Sequence, residues 1–190
     1  TEGQQYIHYN KAGLVMYTLS DLIGPSRFNK ALRSFINRFR YQSEPYANIG
    51  TFVETIKKNT PENLKYLIED TFEKITLYKN KAKDASAIKN GDGTYSVTFT
   101  VEAKKVYSDS IGIETPAILN DWLEVGILGD TEVNGVEQEV PIYIEKVMIK
   151  DSLSTFTFIV DQKPTKAGID PMNKFIDRDI DDNMIRVDLK

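Results

Sequence analysis

Tyr95-Ser96-Val97-Thr98-Phe99-Thr100-Val101-Glu102-Ala103 sets apolar and polar side chains in strict alternation. Successive side chains of a β-strand point to opposite faces, so this pattern turns one face to a core and the other to water. Just upstream, Asn90-Gly91-Asp92-Gly93 has the composition of a tight hairpin turn, whose positive φ angles Gly, Asn and Asp tolerate. The turn links the strand to an earlier one running from Ile75 into the Lys79–Lys83 region. Downstream, further strands are expected at Trp122–Leu128, Ile142–Ile149 and Leu153–Val160, the last two joined by a turn at Asp151-Ser152. Several short strands at this spacing predict an antiparallel sandwich. Trp122 follows Asn120-Asp121 at a strand start and is expected in the core between the two sheets, a ligand-stacking role being the alternative.

Ahead of Lys74 the period changes from two to that of a helix. A first helix is expected from about Tyr9 to Ile23, stopped by Gly24-Pro25. Its Ala12–Tyr17 segment is apolar on almost every side, the pattern of a helix buried all round. Few helices follow to surround it, so a hydrophobic patch, and with it self-association or burial against a neighbour, is expected. In the second helix Ser26 is the expected N-cap, and Phe28, Leu32, Phe35, Ile36 and Phe39 form the apolar stripe. A short helix over Thr51–Lys58 would bury Phe52, Val53 and Ile56. The last helix would start at Thr60-Pro61-Glu62 and bury Leu64, Leu67, Ile68 and Phe72. The chain therefore reads as α+β, a helical part over residues 1–73 and a sandwich over 74–190 with an irregular tail from Lys166 to Asn183 and a short strand within Met184–Leu189.

Composition narrows the function classes. In 190 residues, 41% hydrophobic and 27% charged is ordinary for a globular protein. A net charge of -4 gives no electrostatic footprint for nucleic acid, and no partner of that kind is expected. No apolar run is long enough to span a bilayer. There is no cysteine and a single histidine, His8, so neither a thiolate site nor one built on two imidazoles can form within the chain. No phosphate loop, nucleophile elbow or nucleic-acid motif is present.

Tyr9-Asn10-Lys11-Ala12, followed by Gly13-Leu14-Val15-Met16-Tyr17, resembles the Tyr-Glu-Lys-Gly segment of the aminopeptidase N-like gluzincin zinc metallopeptidases, which opens a buried helix downstream of their zinc site. Asn10 stands where that family has Glu, and Ala12 where it has Gly. The stretches Asp21–Gly24, Arg27–Leu32, Tyr66–Ile75, Ala167–Pro171 and Asn173–Arg178 are similar to a bacterial branch of the same family, so the likeness covers nearly the whole chain.

The resemblance implies that residues 1–73 are the helical C-terminal part of a thermolysin-like catalytic domain and 74–190 the immunoglobulin-like sandwich behind it. It implies hydrolysis of N-terminal residues from peptide substrates by a full-length parent holding zinc. The family's zinc ligands are His-Glu-x-x-His and a Glu on a following helix. This chain has no such motif, so on this reading it is a C-terminal fragment that binds no metal itself, is inactive alone, and has the rest of the catalytic domain as its partner in cis. In some bacterial relatives the peptidase is fused behind a membrane-spanning transporter-like region, which would make the parent membrane-associated and this piece soluble.

By the same resemblance Tyr9 is the catalytic residue, its phenol donating to the oxyanion formed on the substrate carbonyl. The plainer reading is an aromatic residue at a helix start. Tyr6 is a candidate for the substrate cleft, with packing as its alternative, and His8 reads as a structural histidine. Asp170, Asp177, Asp179, Asp181, Asp182 and Asn183 crowd the tail. They offer oxygen ligands for calcium but lack the glycine and distant Glu of an EF-hand, so a solvated or capping role is expected, with Gly168–Pro171 turning the tail onto the body of the protein. The rival to the enzyme reading is a non-catalytic module whose sandwich makes protein contacts, and Asn10 and Ala12 favour it.

Overall fold

A computed structural model describes residues 6–133 and 135–190 of the chain, without the side chains of Tyr6, Ile7, His8 and Val133. The fold is α+β, a helical part followed by two mostly antiparallel sheets in a sandwich-like arrangement. It divides into two compact units, one ending at Thr76 and the other running from Leu77 to Lys190.

The helical unit opens with a π turn over Tyr6–Lys11 that runs into α1 (Ala12–Ile23), followed by α2 (Pro25–Phe39) and α3 (Ile49–Asn59). Gly24, at φ 96°, takes the backbone between α1 and α2 through a conformation that only glycine adopts easily. Pro25 then occupies the first position of α2, where its missing N–H costs nothing. Ser26 therefore lies inside the first turn and is not the N-cap that the sequence suggests. The cap of α3 is Asn48, whose side chain accepts from the Thr51 N–H at 3.0 Å while the Thr51 hydroxyl accepts from the Asn48 N–H at 3.2 Å.

The expected helix from Thr60 is broken into a 3₁₀ turn (Glu62–Leu64), one α turn (Tyr66–Ile68) and a π turn (Glu69–Glu73). Thr60 does not cap it, because its hydroxyl donates back to the Ile56 carbonyl at 2.8 Å. The core holds Val15, Leu19, Ile23, Phe28, Ala31, Ile56, Leu64, Leu67 and Ile68, with Phe35, Phe52 and Phe72 in edge-on contact beside it. Ile36, expected in the buried stripe of α2, faces solvent instead. The apolar helix α1 buries Val15, Leu19 and Ile23, leaves Leu14, Met16 and Leu22 half-covered, and exposes Tyr17.

The strands are β1 (Ile75–Lys89), β2 (Tyr95–Ser108), β3 (Glu114–Pro116), β4 (Asp121–Val133), β5 (Val136–Ile149), β6 (Leu153–Val160), β7 (Pro164–Ile169), β8 (Met184–Arg186) and β9 (Asp188–Leu189). One sheet runs β3-β2-β1-β9, with β6 paired to β2 on the same side as β3, and the other runs β5-β4-β7-β8. The β1–β2 turn closes at Asn90–Thr94, where Gly93 has φ 92°. β9 joins β1 in parallel, and the Tyr78–Asp177 bridge is parallel too, so the antiparallel expectation fails at this margin.

Inward positions follow the period of two. Val97, Phe99, Val101 and Ala103 of β2 are buried, as are Leu123, Val125 and Ile127 of β4. Trp122 stands at an alternate position to these and is half-buried, so it is not part of the core between the sheets. The same alternation carries Lys105 of β2 and Asp121 of β4 inside. Both are buried, with Lys105 Nζ 3.0 and 2.9 Å from the two Asp121 carboxylate oxygens. The Tyr78 hydroxyl donates to Asp121 Oδ1 at 3.2 Å, and the Asn120 N–H donates to Oδ2 at 3.1 Å. Since Lys105 and Tyr78 belong to one sheet and Asp121 to the other, this polar cluster joins the two layers.

Removing one member of a buried pair strands the other's charge. Lys105→Met should cost ~3–5 kcal/mol in urea unfolding, and the charge-free double change Lys105→Met/Asp121→Leu should recover much of that loss. A single change that leaves the midpoint unmoved would show that the pair does not hold the sheets.

Candidate functional site

The candidate site starts from Tyr9. The π turn ahead of α1 leaves Tyr9 and Asn10 exposed and Lys11 half-buried. Tyr9 is 73% exposed, with no hydrogen-bond partner among the described residues. Pointing outward in the same unit are Tyr17, Ile36, Tyr41, Tyr46 and Ile49. The side chains of Tyr6 and His8 lie outside the described residues, so a cleft shared by Tyr6 and Tyr9 is not something the structure displays.

Among the described residues no donor set fits zinc. The chain has one histidine and no cysteine, and among the described residues no three His, Cys, Asp or Glu side chains are placed to hold a metal ion. No described helix is long and apolar enough to cross a membrane.

The acidic tail is used to fasten backbone. Asp170 is fully buried at φ 47°, a left-handed conformation that Asp tolerates, and it turns the chain back over β4. Its Oδ1 accepts from the Lys174 N–H at 2.8 Å and its Oδ2 from the Phe175 N–H at 3.0 Å. The Asp170 N–H donates to the Glu124 carbonyl at 2.7 Å, and Lys174 Nζ lies 2.5 Å from Glu124 Oε1 in a second buried ion pair. Pro171 rests over Gly126, where a Cβ would come within 2.7 Å of the proline ring.

The tail then reaches β1. Phe175 meets Tyr78 edge-on at 4.7 Å, the Tyr78 N–H donates to the Ile176 carbonyl, and Asp177 accepts from the Asn80 N–H at 2.7 Å. Asp177 also accepts from the Asp179 N–H at 3.1 Å, and Asp182 pairs with Lys81 at 2.9 Å. Asp179 and Asp181 are exposed. The capping role thus describes Asp170 and Asp177.

Between the tail and the outer faces of β1 and β2 lies an open cleft of about 410 Å³ lined by Lys79, Lys81, Glu102, Lys104, Asp177 and Asp182. Its charges are largely committed to one another. Lys81 pairs with Asp182 and Lys79 with Glu114, while hydrogen bonds from Lys104 and then Lys83 hold the Glu102 carboxyl down at about 2. The buried pairs Lys105–Asp121 and Lys174–Glu124 were not anticipated from the sequence. The signal for the first was there, since an unbroken period of two carries Lys105 and Asp121 onto inward positions of their strands.

No protein-family model matches the chain, and no curated protein matches it.

Burial pushes the Asp170 carboxyl up to about 6, against the two N–H donors that favour its charged form and with the Glu124 charge adding to the rise. The folded state therefore holds this proton more tightly than the unfolded chain. Its stabilising contribution is complete below about 3.8 and is lost as pH rises through about 6. Between about pH 4 and about pH 7 the wild type should lose on the order of 2 kcal/mol relative to Asp170→Asn, read from urea midpoints at the two pH values. Parallel pH profiles of the two proteins would contradict the assignment.

Proposed function

We propose that the chain is the C-terminal part of a zinc-dependent aminopeptidase of the aminopeptidase N type, inactive alone, in which Tyr9 stabilises the oxyanion of the transition state. The observation that carries this reading is the placement of Tyr9 on an outward-facing turn at the head of an apolar helix, its phenol open to solvent. Support also comes from the exposed apolar side chains of the same unit, Tyr17, Ile36 and Ile49 among them, which a further part of a catalytic domain would cover. The succession of a helical unit and a sandwich is the order that the family resemblance implies.

On this reading the metal would be held by residues elsewhere in the parent, and this chain contributes the phenol. A preplaced O–H aimed at a carbonyl oxygen gains strength as that oxygen takes up negative charge, so it stabilises the transition state more than the bound substrate. The sandwich contributes no reacting group and acts as a rigid support. The second reading, a non-catalytic module, is favoured by Asn10 and Ala12, which depart from the family's pattern at the two positions flanking Lys11.

The test is made in the parent protein that carries the upstream region. Bound zinc and turnover of aminoacyl anilides are measured for Tyr9 and for Tyr9→Phe. Loss of the donor should lower kcat about 100- to 1000-fold with zinc content unchanged. Equal turnover of the two forms would remove Tyr9 from the mechanism, and a parent without bound zinc or turnover would leave the module reading standing.

A further inference from the structure

The two long sides of the sandwich are finished differently. Along one, the tail covers β1 and β8 flanks β7. On the other, β6 pairs with β2 from Tyr95–Val160 to Glu102–Leu153, and among the described residues no strand pairs with its outer edge. That edge presents a row of unpaired backbone N–H and C=O groups. Proteins guard such edges with lysine, proline or a bulge. Between Leu153 and Val160 there is no charge, no proline and no shift of register against β2.

The side chains along this edge form a near-palindrome. About Phe156, Thr155 answers Thr157, and Leu153 answers Ile159. All four lie on the outer face, where Leu153 is 57% and Ile159 65% exposed. The Thr157 and Thr155 hydroxyls bond those of Thr98 and Thr100 at 2.9 and 3.0 Å, forming a ladder that stops at the edge.

We propose that β6 pairs antiparallel with β6 of a second copy of this chain, the two-fold axis passing through Phe156. Residues directly opposite in an antiparallel pair share a face. The axis therefore sets Thr155 against Thr157 of the second copy, extending the hydroxyl ladder, and Leu153 against Ile159, so that each exposed apolar side chain covers another. On the inner face Phe156 meets Phe156, and Ser154 meets Phe158. A shift of one residue puts outer side chains on the inner face, and a shift of two sets Leu153 against Thr157 or Asp161. A two-fold contact of this kind uses each edge once and closes, giving a dimer instead of a fibre. Along the strand the nearest charges are Asp151 and Asp161, which the same register brings opposite each other just beyond the strand ends, so salt should tighten the contact, while Glu102, across from Leu153 on β2, is already paired with Lys83 and Lys104. This surface is separate from the apolar side chains of the helical unit, and the test distinguishes the two.

In sedimentation at millimolar concentration the full chain should run as a dimer that strengthens with added salt, and Ile159→Lys, at an exposed position, should run as a monomer with an unchanged circular dichroism spectrum. Because the chain has no cysteine, single substitutions report the register. An equimolar mixture of Thr155→Cys and Thr157→Cys chains should oxidise mainly to the mixed disulfide. A wild-type monomer, a dimer that survives Ile159→Lys, or homodisulfides outnumbering the mixed product would each overturn the proposal.

Discussion

Lys105 and Asp121 meet inside the β unit as a buried pair of opposite charges, and the arrangement of the two sheets is organised around that meeting. Burying two charges is costly unless each finds its opposite and its remaining hydrogen bonds are filled. Asp121 satisfies that condition through Lys105, the Tyr78 hydroxyl and the Asn120 N–H, drawn from β1, from β2 and from the backbone beside its own strand. An apolar core of Val97, Phe99, Leu123 and Val125 tolerates small slides, because its contacts are non-directional. The ion pair does not. Slipping β2 by one residue would turn Lys105 to solvent and abandon Asp121, so the pair pins β2 against β4 across the layers.

A second set of buried polar groups does the same for the tail. Glu124 lies on the opposite face of β4 from Leu123 and would be an isolated charge without Lys174. Asp170 holds the loop that delivers Lys174 and then turns the chain toward β1. β7 and β8 complete the path, and their contact is so close that a Cβ on Gly168 would fall 2.0 Å from the Asn183 carbonyl oxygen. The tail is irregular in secondary structure and tightly specified in its bonds, which are mostly side chain to backbone.

How much of this was legible depended on whether a residue's partner was local or distant. The turn at Asn90–Gly93 and the strand Leu153–Val160 follow from local composition and alternation, and both stand where the sequence puts them. β7 is not visible in the sequence, because Lys166 and Gly168 fall in the tail expected to be irregular from Lys166 and form a strand only with β4 and β8 beside them. Thr60-Pro61 looks like a helix start, yet the Thr60 hydroxyl is taken by Ile56. Trp122, at a strand start after Asn120-Asp121, reads as core, and the pleat puts it on the face opposite Leu123. Of the candidate site, Tyr9 could be picked out by its motif, while its exposure depends on how the π turn presents it. Among the described residues the Tyr9 phenol has no hydrogen-bond partner, so nothing local in the sequence fixes what it meets.

Sheet closure also sets an order of events. Ser86 and Ala87, early in the β unit, pair with Asp188 and Leu189 at its far end, and Tyr78 waits for Asp177. Contacts of such long sequence separation form late and slowly, since the loop between them must be ordered first. During synthesis the outer margin of β1 stays unsatisfied until almost the whole unit has left the ribosome. A nascent β1–β2 hairpin would spend that interval with a bare edge, and chaperone capture or nascent-chain aggregation would find it there.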